Sequence, residues 1–422
     1  MPASLAAPCT VGLRRFAVLT ALATLGLVGV GGLVTSHGVG MAVPDWPNTY
    51  GYNMFFFPVS QWVGGIFYEH THRLVASGVG LMTTILVLWL YGRSARPFMR
   101  WAGMALLALG LGTWLAMPKR WTDGLVLGVT GLALLGASFV WPGCQPAEKW
   151  LRGLGLAAFF AVVLQGALGG LRVVLFKDAI GIFHATLAQL FFVLVCAIAL
   201  FTSRWWQVSA AKEQAPSEPA QRPNLARLRW LFIATSALIL CQLILGAAMR
   251  HQHAGLSIPD FPLAYGKLWP ATDPASVAAY NQHRIEVLSA NPIAAFQIVL
   301  QMVHRMLALV ILGAVTFCAW SAQSARHGKN ILGRMTLVWL GLIMTQVLLG
   351  AATIWSDKAA DIVTAHVLVG ALSLAVGVIV SIISAHEMVL VRRVIDLPPV
   401  AEAQAEPAPY PRSGVGISSQ AT

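Results

Sequence analysis

From Phe16 to Ser36 the chain runs without an ionisable side chain, and apolar runs of this kind recur along its length, separated by short clusters of Lys and Arg. About 20 apolar residues, coiled as a helix, match the hydrocarbon thickness of a bilayer. A bare peptide group finds no partner in hydrocarbon, so segments of this kind must satisfy themselves as helices. The composition agrees: 57% of residues are hydrophobic, 10% are charged and the mean hydropathy is +0.70, which excludes an ordinary soluble domain. The formal charge of +12 does not point to nucleic acid, because the basic residues sit between apolar runs, where they orient spans. The expected fold class is an all-α polytopic membrane protein.

Arg14-Arg15 and the run after them have the outline of a signal peptide, but the run is too long for one and is read as the first span, with the N-terminus inside. An exterior loop from His37 to Phe67 follows, rich in Gly, Pro and aromatics, and the second span starts near Glu69. Two plainer apolar runs, about 101–117 and 124–141, carry no buried ionisable group. A span at about 154–171 contains Gln165-Gly166-Ala167-Leu168-Gly169-Gly170, and the next opens at Gly181 with His184 in its first turn. Residues 203–228 form a polar, Pro-containing interior linker. Beyond it come a span at 229–249, a long exterior loop at 250–292, a span carrying His304, one at 335–354, and one from near Ile362 carrying His366. The tail, 393–422, is Pro-, Ala- and Ser-rich and reads as disordered. This makes ten spans with both termini cytoplasmic, in units 1–202 and 229–392. The five cysteines, Cys9, Cys144, Cys196, Cys241 and Cys318, fall on no exterior loop and form no CxxC, so no disulfide framework is expected.

The two halves repeat. Gly40-Met41-Ala42-Val43-Pro44-Asp45-Trp46-Pro47-Asn48-Thr49-Tyr50-Gly51 aligns without gaps to Gly255-Leu256-Ser257-Ile258-Pro259-Asp260-Phe261-Pro262-Leu263-Ala264-Tyr265-Gly266. Glu69-x-x-His72-Arg73 recurs as Gln301-x-x-His304-Arg305, and Gln165-x-x-Leu168-Gly169 as Gln346-x-x-Leu349-Gly350. His304 and His366 lie 62 residues apart, whereas His72 and His184 lie 112 apart. The excess of 50 is the length of the plain helix pair at about 101–150. The expectation is therefore two four-helix bundles related by a pseudo-two-fold axis, an eight-span core, plus an inserted two-helix hairpin.

His72, His184, His304 and His366 stand at outer span ends, two per half. Two facing imidazoles in a helix bundle suit the axial positions of a flat metal macrocycle. Zinc wants four ligands, or three and water, and no third ligand recurs in both halves. Arg73 and Arg305 can pair with a porphyrin propionate or a lipid phosphate, or snorkel. Trp46, Phe55, Phe56, Phe57 and Trp62 can roof the pocket or form an interfacial belt. Glu69 against Gln301 is the telling difference, since Gln keeps the size but cannot exchange a proton. His37, His70, His251, His253 and His283 lack repeat partners and are read as loop or interface residues.

These motifs, with Gly38-Val-Gly-Met-Ala-Val-Pro-Asp-Trp-Pro47, resemble the heme A synthase family over about residues 14–390. The resemblance implies that the N-terminal bundle receives heme O near His72 and His184. It further implies that His304 and His366 hold a heme b cofactor, that Glu69 is the essential acid, and that the C8 methyl of heme O is oxidised to a formyl. The implied partners are heme O synthase, terminal-oxidase assembly factors and membrane lipid, in an inner membrane, with a homo-oligomer compatible. Two departures stand out: the first exterior loop lacks the cysteine pair of some bacterial members, and the hairpin at 101–150 is extra. The same histidines also suit a diheme electron-transfer protein handling quinone, and the parallel repeat alone suits a transporter.

Overall fold

The computed structural model describes residues 7–211, 222–283, 292–324 and 331–395. These form helices α1 (Ala7–Ser36), α2 (Gly64–Tyr91), α3 (Ala95–Ala116), α4 (Trp121–Val140), α5 (Lys149–Leu175), α6 (Asp178–Phe201), α7 (Arg204–Ala211), α8 (Arg222–His251), α9 (Pro274–Gln282), α10 (Ala295–Ser324), α11 (Ile331–Trp355) and α12 (Ala360–Ile395), with no strand among the described residues. Among those residues, nine continuous helical stretches are long and apolar enough to cross a membrane. One of them, Gly64–Ala116, has 53 residues, far more than a single crossing needs, and it is broken by a 3-10 turn at Gly92–Ser94. Counted as α2 and α3, it brings the crossings to the ten expected.

The break has a local cause. Gly92 adopts φ 53°, and a Cβ there would collide with the Cys144 carbonyl oxygen. Glycine alone fits that close approach, which lets Arg93 N donate to Cys144 O and closes the inner end of the hairpin.

Helices α1, α2, α5 and α6 form one bundle and α8, α10, α11 and α12 the other. Their contacts follow the repeat: α1 meets α12 as α8 meets α6, and α6 meets α12 across the pseudo-axis. Each bundle is packed solid towards the end away from the long loops, around Leu86, Leu90, Phe191 and Ile198 in one and Phe232, Val315, Leu332 and Trp339 in the other. Lipid is as apolar as these side chains, so their close packing and dispersion, rather than expulsion from water, hold the helices together.

The inserted hairpin, α3 and α4, packs mainly on itself. A Cβ on Gly103 would lie 2.9 Å from Gly131 O, and one on Gly110 2.7 Å from Gly124 O, so the two backbones touch through paired glycines. Its tip between α3 and α4 is tied to the loop between α1 and α2, where Asn53 Nδ2 donates to Asp123 Oδ1 at 2.8 Å and Phe56 meets Trp121. Trp101, Leu115, Leu132 and Phe139 face outward, as lipid contact requires.

Three expectations need correction. Cys144 is disulfide-bonded, while Cys196, Cys241 and Cys318 are free. A single bridge made in the connection between α4 and α5 has no spacing motif to announce it. The linker 203–228 is helical at both ends, in α7 and in the start of α8, because its Trp205, Trp206 and Leu228 give it apolar residues to bury. Its middle, 212–221, and most of the predicted disordered tail, 396–422, lie outside the described residues. Finally, α2 and α6 begin earlier than expected, so Glu69 and His184 stand in second turns.

Candidate functional site

Four histidines occupy the half of the bundles nearer the two long loops, away from the packed cores. Each ring rests with its Cε1 edge against a glycine of a neighbouring helix. A Cβ would stand 3.0 Å from His72 at Gly31, 3.3 Å from His184 at Gly169, 3.4 Å from His304 at Gly246 and 3.3 Å from His366 at Gly350. Larger residues there would push the rings away. His72 and His184 are electrostatic neighbours, as are His304 and His366, so each bundle brings its two imidazoles together.

Gln165 Nε2 donates to the His184 carbonyl at 3.0 Å and Gln242 Nε2 to that of His304 at 2.9 Å, fixing the backbone beneath two of the rings. Gln346 Nε2 lies 3.4 Å from Nε2 of His366, a contact that ring must give up to bind a metal. All four Nδ1 atoms are buried without a partner, yet each histidine retains accessible surface. Rings held by their edges and paired, each with an unpartnered Nδ1 and all but that of His366 without a protein hydrogen bond on Nε2 among the described residues, fit the ligands of a porphyrin iron. Among the described residues no three His, Cys, Asp or Glu side chains converge on a metal-binding point, which leaves pairs as the ligand sets.

Over each pair lies the Pro-Asp loop, and the two copies match atom for atom. Asp45 accepts from Tyr50 N and Gly51 N, as Asp260 does from Tyr265 N and Gly266 N. Tyr50 and Tyr265 adopt positive φ and return their hydroxyls to the carbonyls of Ala42 and Ser257. Arg73 donates to the carbonyls of Asp45, Asn48 and Val43, and Arg305 to those of Leu263 and Asp260. The two arginines thus staple the loops to α2 and α10. Each Nη of Arg73 makes two such bonds, Glu69 included, so none is left for a propionate, whereas each Nη of Arg305 makes one.

Glu69, 4% exposed, shares this task and adds a charge. Its Oε2 accepts from Val43 N at 2.9 Å, as Gln301 Oε1 accepts from Ile258 N at 2.7 Å. Its Oε1, however, pairs with Arg73 at 2.7 Å, whereas Gln301 donates weakly to the carbonyls of Gly255 and Ile258. No hydrogen bond joins Glu69 to His72 among the described residues.

A second asymmetry escaped the sequence reading. His70 is fully buried against Phe57 and Trp62, with Nδ1 3.2 Å from the Thr49 hydroxyl and Nε2 unpartnered. The repeat puts Met302 and Ala264 in these places, both inside an apolar cluster. One half thus has a polar pair where the other has packing; the mismatch of Thr49 with Ala264 was the available signal. Gly31 and Gly246 were also missed, although each precedes its Pro-Asp repeat by the same interval.

Of the loop aromatics, Trp46 stands in the space that a side chain at Gly170 would need, beside the glycine facing His184, yet it is exposed like Phe55 and Phe56, and only Phe57 is buried. His37 packs on Tyr68, and His251 is buried against Gly181 between the bundles. His253 and His283 lie in or beside the second loop.

A family profile described as Cytochrome oxidase assembly protein (COX15-CtaA) matches residues 112–378, more than half of the chain. That span contains His184, His304 and His366; Glu69 and His72 precede it and are tied to it by the internal repeat. The chain is 27% identical over 351 residues to a heme A synthase of Methylobacterium sp. (strain 4-46), covering 82% of this chain and 84% of that one. It is 29% identical over 266 residues to a heme A synthase of Rhodopseudomonas palustris (strain BisB5), covering 62% of this chain and 67% of the other.

Proposed function

The chain belongs to the COX15-CtaA family of cytochrome oxidase assembly proteins, and from that premise we propose that it is a heme A synthase that oxidises the C8 methyl of heme O to a formyl. The observation that carries the reading is the asymmetry of two otherwise matching sites. Both hold a histidine pair under a stapled loop, and only the N-terminal one places a carboxylate, Glu69, in the staple.

In this reading His72 and His184 bind the substrate heme O and His304 and His366 hold a resident heme b. These residues would hold the hemes, and the iron would relay the electrons removed from the methyl to an external electron acceptor. Glu69, beside the substrate pair, orients and deprotonates the attacking water, and Arg73 keeps its carboxylate fixed between α2 and the loop. Gln301 keeps the loop geometry without a group that exchanges protons, which suits a site that only holds its cofactor.

As a multi-pass membrane protein, the chain would lie in the inner membrane with both termini cytoplasmic. It would receive heme O from a heme O synthase and deliver heme A to terminal-oxidase assembly. The test is the heme inventory of cells that make heme O, with and without this chain. Pyridine hemochrome spectra should show heme A only with it; no heme A in either strain would overturn the reading, and a diheme electron carrier would then explain the histidines.

A further inference from the structure

At the outer end of the interface between the bundles stand two arginines without an acid of their own. Arg172 lies one turn of α5 beyond Gly169, which faces His184, and Arg250 one turn of α8 beyond Gly246, which faces His304. One turn is an advance of about 5 Å towards the exterior. The repeat puts Thr35 and Thr353 at the matching places beyond Gly31 and Gly350, so each bundle supplies one arginine.

The Arg172 guanidinium makes no hydrogen bond with the described residues, and its Nε is buried. Arg250 donates one Nη to the Gly32 carbonyl and the Ser36 hydroxyl, leaving its other nitrogens unused. The only ion pairs within 4 Å among the described residues are Glu69–Arg73 and Arg120–Asp123. Asp178 and Glu69 reach Arg172 through space without pairing, while Arg172 and Arg250 oppose each other. Two guanidiniums gathered at membrane depth cost several kcal/mol unless an anion answers them. A planar guanidinium matches a carboxylate better than any other anion of that charge.

We propose that Arg172 and Arg250 form a carboxylate-binding site between the bundles, taking the propionates of the porphyrins seated on the histidine pairs, Arg172 in the N-terminal site and Arg250 in the C-terminal one. This assigns to them a role that Arg73 cannot fill, because its Nη donors are all spent on the loop carbonyls and Glu69. It rests on the reading of those pairs as heme ligands.

The full chain, expressed without heme and purified, is titrated with iron protoporphyrin IX and with its dimethyl ester. Wild type should bind the free acid roughly tenfold or more tightly than the ester, the worth of a charge-assisted hydrogen bond. Arg172→Gln and Arg250→Gln should each lose that preference at one site and lower the reduction potential of the corresponding heme, while Arg→Lys variants keep most of both. Monodisperse elution of each variant separates these effects from misfolding. Equal binding of acid and ester by wild type, or Gln variants that keep the preference and the potentials, would overturn the proposal and leave lipid phosphate as the occupant. A wild-type chain that binds neither porphyrin would instead overturn the heme reading itself.

Discussion

Replacing Glu69 by Gln separates chemistry from architecture, because the protein already contains the control. At the matching position Gln301 accepts the loop N–H of Ile258 at 2.7 Å, so the introduced amide should keep the bond from Val43 N. What disappears is the pair with Arg73, made at 2.7 Å between side chains only 5% and 10% exposed. A charge-assisted bond contributes about 1.5–3 kcal/mol. Arg73 retains three carbonyl acceptors, and Arg305 stands in the second half with no carboxylate hydrogen-bonded to it. The net loss of stability should therefore stay near the lower figure, about 1–2 kcal/mol. If Glu69 moves a proton, the rate of heme A formation should fall by roughly 10²- to 10⁴-fold. Purified Glu69→Gln protein should thus show unchanged heme content and a small drop in Tm, while extracted hemes from cells contain heme O and almost no heme A. Activity within about tenfold of wild type would show that Glu69 is only a loop staple, since a general base contributes at least ten times more.

Three further outcomes follow from the same contacts. Gly31→Ala puts a Cβ 3.0 Å from His72, tighter than an ordinary contact, whereas Gly246→Ala meets His304 at 3.4 Å; the first should lower heme retention in the N-terminal site and the second leave the C-terminal site intact, as read by hemochrome content. His70→Met alone leaves the buried Thr49 hydroxyl unpaired and should cost about 1–3 kcal/mol, and Thr49→Ala in the same chain should recover part of it, as Met302 with Ala264 packs in the other half; a double-mutant cycle in Tm measures the coupling. Gly131→Leu drives a side chain into α3, where a Cβ already stands 2.7 Å from Gly103 O, so the hairpin should open to protease while both histidine pairs keep their hemes.

The sequence by itself determined the spans, the repeat and the insertion. Bilayer thickness and the absence of water oblige each long apolar run to become a helix, and gapless motifs at fixed order give the pairing of halves. It also singled out the four histidines, because ionisable residues within such runs are rare, and the Glu69/Gln301 difference. Tertiary structure alone decided what these side chains touch. Helix packing in lipid turns on backbone approach, so Gly31 and Gly246, silent among 39 glycines, proved to be the surfaces that seat His72 and His304. Arg73 and Arg305 were open to a propionate, a lipid phosphate or snorkelling; the Pro-Asp loop folds back so that its carbonyls accept from both, a long-range pairing that no local pattern encodes. Arg172 and Arg250, 78 positions apart in the chain, come within electrostatic reach of each other only because α5 and α8 end on the same side of the fold.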